Sequence, residues 1–285
     1  MAKKKAKKDV RKIITDKIIE QMQACIASDY KKPWFSIDMM PINAVTKKTY
    51  RGMNTFWLGL TGYSVLEFAS YKQWESIGAQ VRKGEKGHLV IYYMPFEIED
   101  KDTGEKKTIP LLKHSTVFNC SQVDGYEPIV FDNTLNDNKA VKHAEEFVKN
   151  CGIEVRNDIG QAFYMPSTDR VHIPKLDQFK DAESYYSVLF HEFTHATGAK
   201  TRLDRNLSGK YGDETYAFEE LIAELGSAFT MAHLGLESEP REDHAKYLKN
   251  WIAALKNDTS FIFQASAKAQ LASDWLIEQQ KEEKA

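Results

Sequence analysis

The pentapeptide His191-Glu-Phe-Thr-His195 fixes more of this protein's architecture than any other segment of its 285 residues. Residues four apart lie on one face of an α-helix, so both imidazoles can bind one metal ion. Glu192, the next residue after His191, would point to the open coordination position where a water binds. A cap at Asp181 and the apolar run before His191 predict a helix over residues 181–197. This pattern is typical of zinc-dependent peptidases, with Glu192 as the general base and His191 and His195 as metal ligands.

A second helix, predicted over residues 214–233, offers the third ligand. Glu220 and Glu224 lie one turn apart on the flanks of its apolar stripe. The E-x-x-x-[DE] order of gluzincin peptidases assigns Glu220 to the metal, and Glu224 would then hydrogen-bond a ligand histidine. The reverse assignment stays open, and Glu219 is expected to face solvent. Two histidines and a carboxylate suit Zn²⁺, with Mn²⁺ or another divalent ion as alternatives.

Charge is distributed unevenly along the chain, although the net charge is only −2. Residues 1–125 carry an excess of seven positive charges, and residues 126–285 an excess of nine negative ones. This asymmetry indicates a polyanionic partner for the front half only. Residues 1–12 form a lysine-rich segment that we interpret as a basic disordered tail.

Three scattered cysteines without C-x-x-C spacing indicate reduced thiols in a cytoplasmic protein. The basic start is not followed by the apolar run of a signal peptide, and no segment approaches the length needed to cross a bilayer. We therefore expect no membrane partner.

The pattern of elements predicts an α+β protein with two domains. Residues 13–127 form a mixed domain with an antiparallel sheet, residues 128–138 a linker, and residues 139–285 a mainly helical domain with a small sheet. We expect one hairpin between residues 79–82 and 88–94, and a second with a polar tip near residues 100–107. The strand at residues 171–173 is expected at the edge of the small sheet, above the metal-binding helix.

Cationic and aromatic residues alternate in the front domain, for example in Lys31-Lys-Pro-Trp34. Single-stranded nucleic acid is bound by this combination, because Lys and Arg contact phosphates while aromatic rings stack on bases. The residues predicted to contact single-stranded DNA are Tyr50, Arg51, Asn54, Trp57, Lys72, Trp74, Arg82, Lys83 and Lys86.

Together these segments resemble the ArdC-type antirestriction proteins of plasmids and phages. The resemblance rests on Tyr50-Arg-Gly-Met-Asn54, Gly78–Gly87 and Val117–Gly125 in front, and on His191–Gly198, Arg202-Leu-Asp-Arg205 and Tyr216–Gly226 behind. It implies an N-terminal domain that binds single-stranded DNA, joined to a zincin-like metallopeptidase domain. It also implies protection of incoming DNA, with a protein of the host restriction machinery as a possible substrate.

Two other interpretations stay open. The protein could coat single-stranded DNA while its metal site is structural or catalytically silent, or it could regulate a nuclease through its acidic back domain. For peptide cleavage, the donor that stabilises the oxyanion would come from Tyr216, Tyr211, His172 or His244. The sequence does not select among these four.

Overall fold

The computed structural model describes residues 9–28, 37, 39–99, 106–128, 137–157, 160–209, 213–236 and 244–280. They form two compact units, each made of separate chain segments. The sheet unit comprises Met1–Val10, Pro41–Tyr50 and Tyr63–Val130, and the helical unit comprises Arg11–Met40, Arg51–Gly62 and Phe131–Ala285. The predicted α+β class is confirmed, with a sheet-rich front part and a helical back part that carries a small sheet.

The described elements follow one another in a simple order. They are α1 (Val10–Ala27), β1 (Ile42–Asn43), α2 (Met53–Gly59), β2 (Glu67–Ser70), α3 (Tyr71–Ser76), β3 (Gln80–Val81), β4 (His88–Glu99), β5 (Lys106–Asn119), β6 (Val123–Asp124), α4 (Asp137–Asn150), β7 (Glu154–Arg156), β8 (Phe163–Met165), β9 (Arg170–His172), α5 (Ala182–Thr197), α6 (Glu214–Leu234), α7 (His244–Asn257) and α8 (Phe261–Glu278).

The sheet unit is built on a four-stranded sheet in the order β1-β2-β5-β4. β4 and β5 form one long antiparallel hairpin, in register from His88 opposite Val117 to Glu99 opposite Lys106. The predicted hairpin between residues 79–82 and 88–94 is wrong, because β3 pairs with β6 instead. The reason is packing. Val81 of β3 and Val123 of β6 belong to the same buried cluster, so β3 pairs with this segment that is distant in the chain.

Helix α3 begins at a capping box, in which Ser70 and Gln73 satisfy each other's backbone amides. This cap places Trp74 on the inner face of the helix, where its ring is fully buried. Its indole N–H donates to the carbonyl of Phe118 at 3.0 Å, and its ring packs against Tyr126. Trp74 is therefore the centre of this unit's core.

Helices α5, α6 and α8 form the centre of the helical unit. The two earlier helices, α1 and α2, also belong to this unit, although the sequence grouped them with the front domain. Thr15 of α1 donates to the carbonyl of Thr259 at 3.2 Å, and the backbone amide of Gly52, before α2, donates to Gln270 of α8 at 2.8 Å. The packing units thus do not follow the order of the chain.

The small sheet of the helical unit has the order β7-β9-β8. β9 pairs with β7 on one side and with β8 on the other, so the prediction of an edge strand at residues 171–173 is wrong. β9 takes the middle because Val171 is fully buried, whereas the residues of β8 are only half-buried. The edges of the sheet are therefore β7 and β8, and both β8 and β9 contact α5. Among the described helices, none is long and apolar enough to cross a membrane.

Candidate metal centre

The centre is built where α5 and α6 approach each other closely. Asp181 caps α5 by accepting from the amide of Ser184, and Asp213 caps α6 by accepting from the amide of Tyr216. A Cβ added at Gly226 of α6 would lie 2.6 Å from the Thr194 methyl group of α5. The absence of a side chain at Gly226 therefore lets the two helices come close enough to share a ligand set.

Three side chains converge between these helices. The Nε2 atoms of His191 and His195 lie 3.2 Å apart, and the carboxylate of Glu220 lies 3.6 Å from the first and 3.5 Å from the second. Ligands about 2.0–2.1 Å from a tetrahedral zinc ion are separated by about 3.3 Å, so these spacings match the edges of such a site. Within the described residues, this is the one cluster of three potential metal-binding side chains. The three side chains thus form a site that fits a divalent ion.

A carboxylate lies behind each histidine. A carboxylate oxygen of Glu224 lies 3.1 Å from Nδ1 of His191, and its role as a hydrogen-bond partner of this ligand stays a prediction. Glu219 lies 3.3 Å from Nδ1 of His195, and the prediction that it faces solvent is wrong. It is buried because the guanidinium of Arg205 pairs with it at 2.8 Å. When a carboxylate accepts from Nδ1–H, the lone pair of Nε2 faces the metal.

Glu192 lies at the wall of a cleft of about 340 Å³ that also contains His191, His195 and Glu220. Its carboxylate accepts from the backbone N–H of Tyr164 in β8 at 2.8 Å. The aromatic and apolar residues of the wall are Phe163, Tyr164, Pro166, Leu207, Tyr216 and Tyr247. The cleft therefore combines two features. It has a carboxylate that can accept and deliver a proton, and it has apolar walls that can bind a polypeptide chain.

Of the four candidate oxyanion donors, Tyr216 lines the cleft. Its hydroxyl lies 3.2 Å from that of Tyr247. Burial raises the pKa of Tyr216 far above its usual value, and the hydrogen bond with Tyr247 and the negative charge of Glu220 raise it further. Tyr216 therefore stays protonated and can donate a hydrogen bond. His172 stacks on Phe163 and is not part of the cleft wall. Tyr211 and the side chain of His244 lie outside the described residues.

The ligands influence each other's ionisation. Burial opposes charge on Glu220, but hydrogen bonds from His191 and His195 outweigh it and hold the pKa of Glu220 well below its usual range. Burial likewise disfavours charge on His195, but the carboxylates of Glu219 and Glu220 raise its pKa to about 10. Four buried glutamates and a single buried arginine therefore surround the two histidines, an excess of negative charge that a divalent cation would neutralise.

The residues predicted to contact DNA are divided between the two units. The sheet unit contains Tyr50, Lys72, Trp74, Arg82, Lys83 and Lys86, whereas Arg51, Asn54 and Trp57 belong to the helical unit. Lys72, Lys83 and Lys86 are exposed, and Arg82 pairs with Glu85 at 2.9 Å. Arg51 forms an ion pair with Asp274 of α8. The cluster at residues 31–34 lies outside the described residues.

Two of the aromatic candidates are engaged within the protein. Trp74 is fully buried, so its predicted role in stacking on a base is wrong for the folded protein. Tyr50 is half-buried and donates its hydroxyl to the carbonyl of Phe68 at 3.3 Å. Trp74 and Lys72 lie two residues apart on α3 and therefore on opposite sides of the helix. Lys72 is exposed on the outer side, and Trp74 is buried in the core on the inner side.

Residues 8–118 match the family model of the N-terminal domain of the anti-restriction factor ArdC. Residues 142–268 match that of a zincin-like metallopeptidase. The chain is also similar to the protein y4eC of Sinorhizobium fredii, with 41% identity over 96% of this chain and 93% of that protein. It is 37% identical to a DNA primase TraC of Escherichia coli, but the match spans only 20% of the primase.

Two crystal structures of the antirestriction protein ArdC from plasmid R388 have a similar fold. The metal-free structure has a TM-score of 0.78 at 37% identity, and covers 95% of this chain and 98% of that one. The Mn(II)-bound structure has a TM-score of 0.77 at 35% identity, and covers 97% and 100%. That a protein of this fold binds Mn(II) agrees with the His191–His195–Glu220 geometry.

Proposed function

The chain belongs to the ArdC family of antirestriction proteins, and on that premise we propose that it protects incoming DNA of a plasmid or phage from host restriction. In this proposal the protein binds single-stranded DNA and carries an active metallopeptidase centre. The observation that supports the catalytic part is the buried His191–His195–Glu220 cluster, with Glu192 beside it in an open cleft. A purely structural site would close its fourth position and would not need Glu192.

A divalent ion bound at this centre would supply a Lewis acid that polarises a peptide carbonyl and activates water. The chain's own residues perform the proton transfers. Glu192 accepts the proton of the attacking water and delivers it to the amine that leaves. The Tyr164 N–H holds the Glu192 carboxylate in place, so it does not have to reorient for either transfer. The partner cleaved would be a host protein, with the restriction machinery as the proposed source.

Tyr216 donates a hydrogen bond to the oxyanion that forms on the attacked carbonyl. Its position in the cleft and its high pKa support this role, because a phenol that stays protonated at neutral pH can donate. The hydroxyl of Tyr247 lies beside it, at 3.2 Å.

The DNA-binding part is supported by the exposed cations of the sheet unit. Lys72, Lys83 and Lys86 reach solvent, and no carboxylate of the described residues is paired with these three ammonium groups within ion-pair distance. They can therefore contact phosphates without first breaking an internal ion pair. The affinity for single strands should fall with rising salt as counterion release requires.

The test combines cleavage and binding on one full-length preparation. Purified protein loaded with Zn²⁺ or Mn²⁺ is incubated with a peptide library and with host-cell proteins, with and without single-stranded DNA. We expect cleavage by the wild type and none by Glu192→Gln, while both bind the metal and DNA equally well. Glu145→Gln, an exposed change on α4, is the matched control.

Two outcomes would separate the alternatives. DNA binding and protection without any cleavage, and with no effect of Glu192→Gln on protection, would favour a DNA-coating protein with a silent metal site. Cleavage that persists in Glu192→Gln would refute the assignment of the base.

A further inference from the structure

The loop that follows the metal-binding helix carries two arginines, Arg202 and Arg205, whose roles the proposed function leaves open. The side chain of Arg205 is only 4% exposed. Its guanidinium donates to the carbonyl of Thr194 at 2.5 Å and to the Thr197 hydroxyl at 2.9 Å, both at the end of α5. Its other N–H groups pair with both oxygens of Glu219. Arg205 therefore connects the last turn of α5 to the first turns of α6.

Gly198 makes this connection possible. A Cβ added there would lie 2.8 Å from the side chain of Leu207 and 3.1 Å from the guanidinium of Arg205. A side chain at residue 198 would therefore crowd the Leu207 side chain and the Arg205 guanidinium, which would have to shift. Glycine at residue 198 thus leaves room for the Arg205 guanidinium beside the end of α5.

Glu219 needs this arginine for a physical reason. It lies next to Glu220 in the chain, is buried, and lines the same cleft as the metal ligands. An uncompensated carboxylate in that position could turn toward the ion and replace Glu220, or leave His195 without a partner on Nδ1. Paired with Arg205, it stays behind His195 at 3.3 Å from Nδ1.

We infer that Arg205 is a positioning residue, which acts through Glu219 to hold the His195 ring for metal binding and so sets the metal affinity of the centre. The inference rests on the metal centre of the proposed function but does not depend on peptide cleavage. A metal ligand's hydrogen-bond partner typically contributes 10–100-fold to affinity. Here the partner, Glu219 of α6, is itself held by Arg205 from the loop after α5.

Arg202 provides an internal control of the same chemistry. Its guanidinium also forms a two-bond pair with a carboxylate, that of Asp169, at 2.7 and 2.9 Å. It also donates to a carbonyl near the end of α5, that of Ala196. Glu219 is paired with the ligand His195, whereas the ion pairs of the described residues include none between Asp169 and a ligand histidine. Loss of Arg202 therefore tests general damage to the loop without loss of the His195 partner.

The experiment measures the affinity of the full-length protein for Zn²⁺ alone, by competition with a chromophoric chelator at fixed pH. We expect Arg205→Met and Glu219→Gln each to weaken binding by about 10–100-fold. The double variant should be no weaker than the weaker single variant, because both changes break the same connection. Arg205→Lys keeps the charge and should lose less, and Arg202→Met should stay within about threefold of the wild type.

Absorption of the Co²⁺-loaded proteins gives a second measurement that a purely structural role would not change. The ligand-field bands should shift in Arg205→Met and Glu219→Gln but not in Arg202→Met. Thermal unfolding of each variant in chelator reports folding separately. If Arg205→Met does not fold, the comparison of Arg205→Lys, Glu219→Gln and Arg202→Met decides the question.

Three results would overturn the inference. They are wild-type affinity in Arg205→Met or, where that variant does not fold, in Glu219→Gln; an equal loss in Arg202→Met; and fully additive losses in the double variant. Absence of peptidase activity would leave the inference intact, because no step of the measurement uses a peptide.

Discussion

The metal centre of the helical unit and the cationic surface of the sheet unit use charged residues in opposite ways. At the centre, Glu192, Glu219, Glu220 and Glu224 are buried, and each has a partner at a defined distance. On the sheet unit, Lys72, Lys83 and Lys86 are exposed, and in the proposed function they would act on DNA through their summed charge. Function at the centre therefore depends on geometry, and single substitutions there should have large effects. The cationic surface should respond to each substitution only weakly.

The largest effect is expected at a residue that belongs to the core of the sheet unit, although the sequence placed it on the cationic surface. Trp74→Ala removes a fully buried ring and its hydrogen bond to Phe118. The free energy of unfolding should fall by about 3–5 kcal/mol. Lys72→Ala on the exposed side of α3 should stay within about 0.5 kcal/mol. Urea unfolding followed by fluorescence measures the stability of both variants. A small loss of unfolding free energy in Trp74→Ala would contradict a core position of the ring.

The next comparison separates the two carboxylates of α6. Glu220→Gln removes a metal ligand, and the affinity for Zn²⁺ should fall by more than about 100-fold. Glu224→Gln removes only the partner of His191 Nδ1, and the loss should be about 10–100-fold. Equilibrium competition against a chelator measures both. The opposite order would make Glu224 the ligand, the assignment that the sequence left open.

The phenol in the cleft should influence turnover without influencing the metal. Tyr216→Phe removes the proposed oxyanion donor, and kcat should fall by about 100-fold while the affinity for Zn²⁺ changes little. Tyr92→Phe, an exposed change on β4, is the control. Steady-state kinetics on a cleaved peptide provide the measurement. An unchanged kcat would exclude Tyr216 from the chemistry.

Substitutions on the cationic surface should have smaller and graded effects. The double variant Lys83→Glu with Lys86→Glu should weaken binding of single-stranded DNA by about tenfold and reduce the slope of log affinity against log salt by about 1.4, the value for two phosphate contacts. Lys142→Glu with Lys149→Glu on α4 is the matched control, with equally exposed side chains. Fluorescence anisotropy over a salt series provides both quantities. Equal effects of the two double variants would mean that the sheet unit has no special role.

The effect of pH is the most gradual, because it is spread over several pH units. In protein treated with chelator, Glu219 and Glu220 raise the pKa of His195 from its ordinary value of 6.5 to about 10 despite its burial. Because the folded pKa is the higher one, this stabilisation is complete below about pH 6.5 and is lost as pH rises toward 10. Thermal unfolding in chelator should show this decline, with a slope of at most about 1.4 kcal/mol per pH unit, and His195→Gln should lack it. Identical slopes would contradict the contacts of His195 with both carboxylates.

The two histidine ligands could be predicted from the sequence because their geometry is local. His191 and His195 share a helix face by spacing alone, and Asp181 caps α5 where expected. The roles of Glu219 and Arg205 could not be found in this way. α6 is buried on nearly all sides, so a polar residue off its apolar stripe does not have to face solvent. The one signal was the Arg202-Leu-Asp-Arg205 motif, whose function appears only in the contacts of its side chains.

The remaining errors came from pairings over long distances in the chain. β3 is followed by a turn and a strand, which suggests a hairpin, but its partner β6 follows more than forty residues later. α1 begins at Val10, so residues 10–12 of the segment interpreted as a disordered tail are helical, and α1 packs in the helical unit because contacts such as Thr15 with Thr259 span most of the chain. Local patterns predict elements well, whereas the choice of partner depends on the whole core.

Anomalous diffraction from crystals of the full-length protein loaded with Zn²⁺, recorded on both sides of the zinc absorption edge, tests the central claim most directly. We predict one strong peak within about 2.0–2.2 Å of the Nε2 atoms of His191 and His195 and of a Glu220 oxygen, with Glu192 facing the remaining position. A peak bound by Glu219 or Glu224 in place of Glu220, or a fourth position closed by a protein side chain, would contradict it.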